Sequence, residues 1–149
     1  MTIRNNMDKN TIFPEIIKDY IERENLTINR FSKCIGVAER AVAKWMAAEY
    51  MPTVKSAIKA AELLDCSLDY LFGLSNTPYF RKSTTNENFF ERFDLLCKTK
   101  KVTPYKVSKN CDFGQPMISK WKRGKSPKTE TLIKLAEYFG CSVDYLAGR

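Results

Sequence analysis

The stretch FSKCIGVAERAVAKW (31–45) returns later in the chain as VSKNCDFGQPMISKW (107–121). A second pair follows, PTVKSAIKAAELLDCSLDYLFG (52–73) and PKTETLIKLAEYFGCSVDYLAG (127–148), and the first copy has one residue more between its two blocks. About one third of the residues of 13–45 and 52–74 are identical to their counterparts. Agreement in both pattern and spacing indicates a tandem duplication.

Each copy has the apolar spacing of short helices, with i, i+3/i+4 and i+7 positions filled and no run that alternates with period two. Thr27 and Thr103 are typical N-caps for a second helix. We therefore expect an all-α fold of two consecutive five-helix domains. The other predicted elements are a first helix from Phe13 or Phe89, a third at Ala38–Met46 or Gly114–Lys122, a fourth after Pro52 or Pro127, and a fifth capped by Ser67 or Ser142.

The repeat predicts the organisation of the chain. We expect a polar tail at 1–12, domain 1 at 13–74, a polar, proline-containing linker at 75–87 and domain 2 at 88–149.

The link between the second and third helices follows one pattern in both copies. A small residue, Ser32 or Ser108, stands where two helices would cross closely. A turn residue, Gly36 or Asp112, follows four positions later, where a positive φ is needed. Apolar residues on both sides, ending at the core tryptophans Trp45 and Trp121, would hold the third helix at a steep angle. This is the helix-turn-helix pattern.

With those residues in place, each copy resembles the phage-repressor (Cro/repressor, or XRE) helix-turn-helix family over nearly its whole length. The resemblance includes the terminal S-x-D-Y-L-x-G, present as SLDYLFG and SVDYLAG. It implies that the third helix lies in the DNA major groove and that the start of the second helix contacts phosphates. Pro104 stands where many members of the family have a phosphate-binding glutamine.

The chain of 149 residues carries a formal net charge of +8. Basic and acidic residues cancel within residues 1–75, so residues 76–149 carry the whole excess. Such different halves indicate different electrostatic roles, and the second half is the one suited to a polyanion.

The third helix of domain 2 begins at Gln115, whose amide can pair with N6 and N7 of adenine. The basic loop after this helix suits a sugar–phosphate backbone. We predict that the DNA contacts of domain 2 are made by Thr103, Tyr105, Lys106, Lys109, Gln115, Pro116, Met117, Ser119, Lys120, Lys122, Arg123 and Lys125.

Domain 1 has Glu39 in place of Gln115, and a carboxylate repels phosphates unless it accepts from N4 of cytosine. Its weaker candidate DNA contacts are Thr27, Asn29, Arg30, Lys33, Glu39, Arg40, Ala43 and Lys44. The loop that follows is expected to expose Met46, Tyr50 and Met51, residue types that are common at protein interfaces. Protein interface, local core and residual DNA contact stay open for this loop.

Composition excludes several classes of function. Without histidine there is no Ser–His or Cys–His nucleophile and no His-ligated metal, so we expect no enzyme, catalytic residue, metal or cofactor. The five scattered cysteines are expected to be small buried residues. No run is apolar enough for a membrane span and the polar start is unlike a signal peptide, so we expect a cytoplasmic protein without membrane contact.

The sequence thus favours a repressor-like transcriptional regulator, of bacterial or phage type, that binds double-stranded DNA by sequence. A homodimer or another protein partner would use domain 1, and no small-molecule ligand is evident. The second interpretation is a protein-interaction module, antirepressor or antitoxin-like, that keeps the fold without reading an operator.

Overall fold

A computed structural model describes residues 9–149, and their side chains from Thr11 onward. The chain divides between Phe80 and Arg81 into two compact units, called unit 1 and unit 2. Residues 9–149 form helices and loops without a strand, so the prediction of an all-α fold is confirmed.

Within residues 9–149, each unit shows five helices, as expected from the repeat. In unit 1 they are α1 (Lys9–Arg23), α2 (Ile28–Ile35), α3 (Glu39–Met46), α4 (Val54–Leu64) and α5 (Leu68–Leu71). In unit 2 they are α6 (Phe89–Lys100), α7 (Pro104–Asn110), α8 (Pro116–Lys122), α9 (Thr129–Phe139) and α10 (Val143–Leu146).

Four of the helices begin at the predicted hydroxyl caps. Thr27 and Thr103 accept the backbone N–H of Arg30 and Lys106 at 3.1 and 3.2 Å. Ser67 and Ser142 do the same for α5 and α10. Because the first N–H groups of a helix have no partner within it, these caps fix where the helices start.

A tryptophan lies at the centre of each core. Trp45 is 2% exposed, and its ring centroid lies 5.5 Å from that of Phe13. Trp121 is equally buried and meets Phe89 at 5.2 Å and Phe113 at 4.7 Å. The prediction that both tryptophans are core residues is confirmed. Each ring closes the space beneath the third helix of its unit, and so anchors the helix that carries the candidate site.

The N-terminal boundary of the helical region differs from the expectation of a tail over 1–12. Helix α1 already includes residues 9–12, and Ile12 is only 3% exposed. Residues 1–8 lie outside the described residues. Ile12 packs against Gly73, whose φ is +78° and where a Cβ would clash with Cδ1 of Ile12. The polar residues next to Ile12 give no local sign that it is buried, because its contact with Gly73 forms only in the tertiary fold.

The expected linker, 75–87, contains no helix, but each part of it is bonded to its own unit. Ser67 donates its N–H to the carbonyl of Pro78 at 2.9 Å within unit 1. Ser83 donates its N–H to the carbonyl of Arg149 at 2.6 Å within unit 2. The division between the two units therefore falls inside a segment that is tied down at both ends.

A buried arginine holds the second part of this segment. Arg92 is fully buried and donates to the carbonyls of Thr85, Glu87 and Tyr145 at 3.0, 2.9 and 2.6 Å. Its guanidinium also lies 4.8 Å from the centroid of the Tyr145 ring. A buried charge is costly unless it is hydrogen-bonded, and these three carbonyls engage one N–H on each of the three guanidinium nitrogens. Unit 1 has Ile16 at the same repeat position.

The contact between Ile12 and Gly73 can be tested by substitution at two equivalent glycines. Gly73→Ala is expected to destabilise unit 1 by about 2–4 kcal/mol, from left-handed strain together with crowding of Ile12. Gly148→Ala is the control, because Gly148 has a φ of +90° and no atom near its would-be Cβ. It should cost only about 1–2 kcal/mol of strain.

Urea unfolding followed by tryptophan fluorescence separates the two units when one tryptophan is replaced by phenylalanine. Trp121→Phe leaves Trp45 to report on unit 1, and Trp45→Phe leaves Trp121 to report on unit 2. Equal losses for the two glycine substitutions would show that Ile12 is not packed on unit 1.

Candidate nucleic-acid interface

The turn between the second and third helices has the predicted left-handed residue in both units. Gly36 has a φ of +66° and Asp112 a φ of +58°. Glycine adopts this conformation without steric cost, and aspartate is among the residues that tolerate it. Asp112 also lies 3.7 Å from the ammonium of Lys134, so its charge is already partnered.

The predicted small residues are buried in both units. Ser32 and Ser108 are 3% and 4% exposed. Their hydroxyls donate to the carbonyls of Asn29 at 2.7 Å and Tyr105 at 2.6 Å, which satisfies a polar group that is cut off from water. Because these sites are buried, we expect a larger side chain to crowd them and to displace α3 or α8.

In unit 2, the exposed side chains around this turn form a surface that we call the cationic edge. It consists of Gln115 with Lys106, Lys109, Lys120, Lys122, Arg123 and Lys125, all of them exposed. None of these six cations forms an ion pair with a carboxylate of residues 11–149. Cations that no carboxylate of residues 11–149 pairs with give this surface a strong positive field.

Gln115 occupies the position just before α8, with Pro116 as the first helical residue. Its side chain is exposed and does not cap the helix. The amide has no hydrogen-bond partner among residues 11–149, so both its donor and its acceptor can be used on a ligand.

The other residues of unit 2 that we predicted to contact DNA differ in how much of each side chain is exposed. Tyr105 is 48% exposed, and the Lys109 ammonium lies 5.0 Å from the centroid of its ring. Pro116 and Ser119 are exposed, whereas Met117 is half-buried. The hydroxyl of Thr103 is engaged as the cap of α7 and so is less available to a ligand.

The corresponding edge of unit 1 is partly neutralised by its own carboxylates. The side-chain amide of Asn29 donates to Oε2 of Glu39 at 2.9 Å. Lys44 is bonded to Glu49 at 3.0 Å, which raises the pKa of the lysine ammonium. Among residues 11–149, no carboxylate pairs with the remaining cations, the exposed Arg30, Lys33 and Arg40. Thr27 caps α2 and Ala43 is exposed.

The loop after α3 is less apolar at its surface than the sequence suggested. Tyr50 is 49% exposed, but Met46 and Met51 are half-buried, which corrects the expectation that all three are exposed. The Lys44 ammonium lies 5.9 Å from the centroid of the Tyr50 ring. Met46 is the last residue of α3, and the loop after it contains Ala48 with a φ of +57°.

The cysteines are mostly buried. Cys66, Cys97 and Cys111 are buried and Cys141 is half-buried, but Cys34 is exposed on α2, so the expectation of buried cysteines is wrong for Cys34. Burial raises the pKa of the Cys97 thiol to about 11. Within the described part of the chain, no group of three or more cysteine and carboxylate side chains is placed to hold a metal ion. None of the described helices is both long and apolar enough to cross a bilayer.

In the described part of the chain, each unit has five helices and a left-handed turn before its third helix, an arrangement that defines the helix-turn-helix class of DNA-binding protein. A helix-turn-helix family model matches the chain twice, at residues 17–71 and 96–146, which together cover well over half of it. The chain therefore belongs to the XRE-type helix-turn-helix family, as a tandem repeat. The comparisons with curated proteins and with solved structures gave no match.

Two interactions could not be predicted from the sequence, one at the edge of unit 1 and one in the core of unit 2. The bond between Asn29 and Glu39 joins two exposed polar residues, and no periodicity marks such a pair. The sequence does contain a sign that Arg92 is buried, because this residue interrupts the apolar face of α6 between Phe89 and Phe93. A charged residue at a core position of a helix indicates a buried partner, here a set of loop carbonyls.

The role of the small residue in the turn can be tested at Ser108. Ser108→Ala removes one local hydrogen bond and should change the stability of unit 2 by no more than about 1 kcal/mol. Ser108→Leu should cost about 1–3 kcal/mol by overpacking and should displace α8. Urea unfolding and amide chemical shifts of α8 are the measurements. Equal effects of the two substitutions would mean that the helices do not cross closely at this residue.

Proposed function

We propose that this protein is a sequence-specific regulator of transcription that inserts α8 of unit 2 into the major groove of double-stranded DNA. The observation that carries the proposal is the exposed Gln115 at the start of α8, in a unit whose α7, α8 and following loop expose six cations that no carboxylate of residues 11–149 pairs with. Membership of a family of DNA-binding domains supports it.

The two kinds of side chain have separate tasks in this proposal. The lysines and Arg123 contact phosphates and release counterions, which supplies affinity that depends on salt and not on sequence. Gln115 pairs with N6 and N7 of adenine, and Met117 and Ser119 contact neighbouring base edges, which supplies specificity.

The proposal also assigns a setting and an effect. A protein that occupies an operator excludes other proteins from the same duplex, so we assign a repressor-like role. Such tandem units suit a bacterial or phage regulator acting in the cytoplasm, where the DNA is. The proposal needs no cofactor and no enzymatic step, because occupancy of the DNA is enough.

A second candidate concerns unit 1, which would bind another protein or a second copy of this chain. The exposed Tyr50 favours it, because tyrosine is enriched at protein interfaces. In its extreme form the whole protein is an antirepressor or antitoxin-like module that no longer reads DNA. The unpaired cations of unit 2 argue against that form, because they are costly to keep together without a polyanion.

Gln115→Ala tests sequence reading. The substitution should weaken binding to a duplex selected by the wild-type protein by about 1–3 kcal/mol and leave binding to random duplexes nearly unchanged. Fluorescence anisotropy with both duplexes measures the two affinities. Equal losses on both would show that Gln115 does not read sequence.

Lys122→Ala and Arg123→Ala test the phosphate contacts. Each should weaken binding to all duplexes alike and lower the slope of log K against log salt by about one. Lys98→Ala is the matched control, because it removes the same charge from α6, where Lys98 is bonded to Asp94 at 2.8 Å. A slope that all three substitutions change equally would reflect net charge alone and would remove Lys122 and Arg123 from the interface.

A further inference from the structure

The hydrogen bond between Asn29 and Glu39 holds a carboxylate, a hydrogen-bond acceptor, at the position in unit 1 that Gln115 occupies in unit 2. Glu39 is the first residue of α3, and the amide of Asn29 holds its Oε2 at 2.9 Å. We propose that unit 1 is a second DNA-reading unit in which Glu39, positioned by Asn29, selects cytosine. This inference rests on the proposed function. The protein then binds a duplex site with two unlike halves.

The selection follows from the groups that each base pair presents in the major groove. An ionised carboxylate can only accept hydrogen bonds. Cytosine offers the N4 amino donor, whereas guanine offers O6 and N7 and thymine offers O4, all of them acceptors that repel a carboxylate. Adenine has a donor at N6, but its N7 acceptor lies beside it. Glu39 therefore favours cytosine, just as Gln115 favours adenine.

Asn29 acts as a positioning residue. Its amide engages one carboxylate oxygen of Glu39, and Oε1 has no hydrogen-bond partner among residues 11–149. A side chain held in place before binding loses less conformational freedom when it binds, so its contribution to discrimination is larger. The repeat counterpart of Asn29 is Tyr105, so this arrangement is particular to unit 1.

The charges of unit 1 allow a carboxylate to approach DNA. Arg30, Lys33 and Arg40 are exposed on the same two helices and have no carboxylate partner in the described chain. They offset the repulsion between Glu39 and the phosphates. The edge remains net positive, although it is weaker than the cationic edge of unit 2.

The surface of unit 1 offers less to a protein partner than to DNA. Two of the three apolar side chains of its loop, Met46 and Met51, are half-buried. The third, Tyr50, lies beneath the ammonium of Lys44. One partly covered ring is a small fraction of the apolar core that stable protein interfaces bury.

A reciprocal exchange between the two copies tests the proposal. The full-length wild-type protein, Glu39→Gln and Gln115→Glu each select sites from a pool of random duplexes, and the recovered sites are sequenced. Glu39→Gln should change a preferred cytosine to adenine at one position and leave the rest of the site unaltered. Gln115→Glu should make the opposite change at a different position. Circular dichroism confirms that both variants remain folded.

Asn29→Ala tests positioning separately. It should reduce the preference for cytosine over the other bases at that position, by about threefold to tenfold, while affinity for duplexes without the preferred base stays the same. A purely structural role for Asn29 would instead lower affinity for every duplex alike, and that outcome would overturn the positioning role.

Three other outcomes overturn the proposal and differ in what they leave standing. If only Gln115→Glu changes the selected site, unit 2 reads DNA and unit 1 does not. If the site is two copies of one half-site and sedimentation shows a dimer on DNA, unit 1 binds a second copy of the chain. If neither exchange changes the site, sequence reading by unit 2 fails as well, and with it the proposed function.

Discussion

The crossing of the second and third helices in each unit is the constraint on which the rest of the structure depends. It needs a side chain small enough to be enclosed between the helices, which Ser32 and Ser108 supply while bonding their own helix. It also needs a left-handed residue to reverse the chain, Gly36 or Asp112. The tryptophan beneath the third helix then fixes its direction. The direction of the third helix in turn decides where the residues at its start, Glu39 and Gln115, are exposed.

Duplication gave the protein two such scaffolds. Their surfaces have diverged, and their cores share a tryptophan but differ at Ile16 and Arg92. Trp45 and Trp121 retain the same burial, and both units keep their hydroxyl caps. At the edge, unit 2 exposes Gln115 and cations that no carboxylate of residues 11–149 pairs with, whereas unit 1 has two carboxylates bonded to neighbours. Core packing fixes the position of the edge in each unit but not the charge of its exposed side chains. These side chains could therefore differ between the units without loss of the fold.

Most of the fold could be predicted from the sequence, because helix periodicity, capping residues and the turn pattern are local signals and each occurs twice. What escaped depends on contacts between distant residues. Ile12 is buried only because Gly73 leaves room for it, and Arg92 is stable in the core only because loop carbonyls receive it. The positive charge of the cationic edge could be predicted from the sequence. The structure was needed to show that these cations form no ion pair with the described carboxylates. It was also needed to show the hydrogen bond from Asn29 to Glu39.

The central claim is that the edge around α8 contacts the duplex, and amide NMR of the full-length protein tests it most directly. Isotope-labelled protein is titrated with a duplex recovered by selection, in buffers of low and moderate salt. The account predicts that the largest shift changes fall within residues 103–125, and that α9 and α10 are little affected. Changes confined to α6 and α10, or none even at low salt, would contradict it.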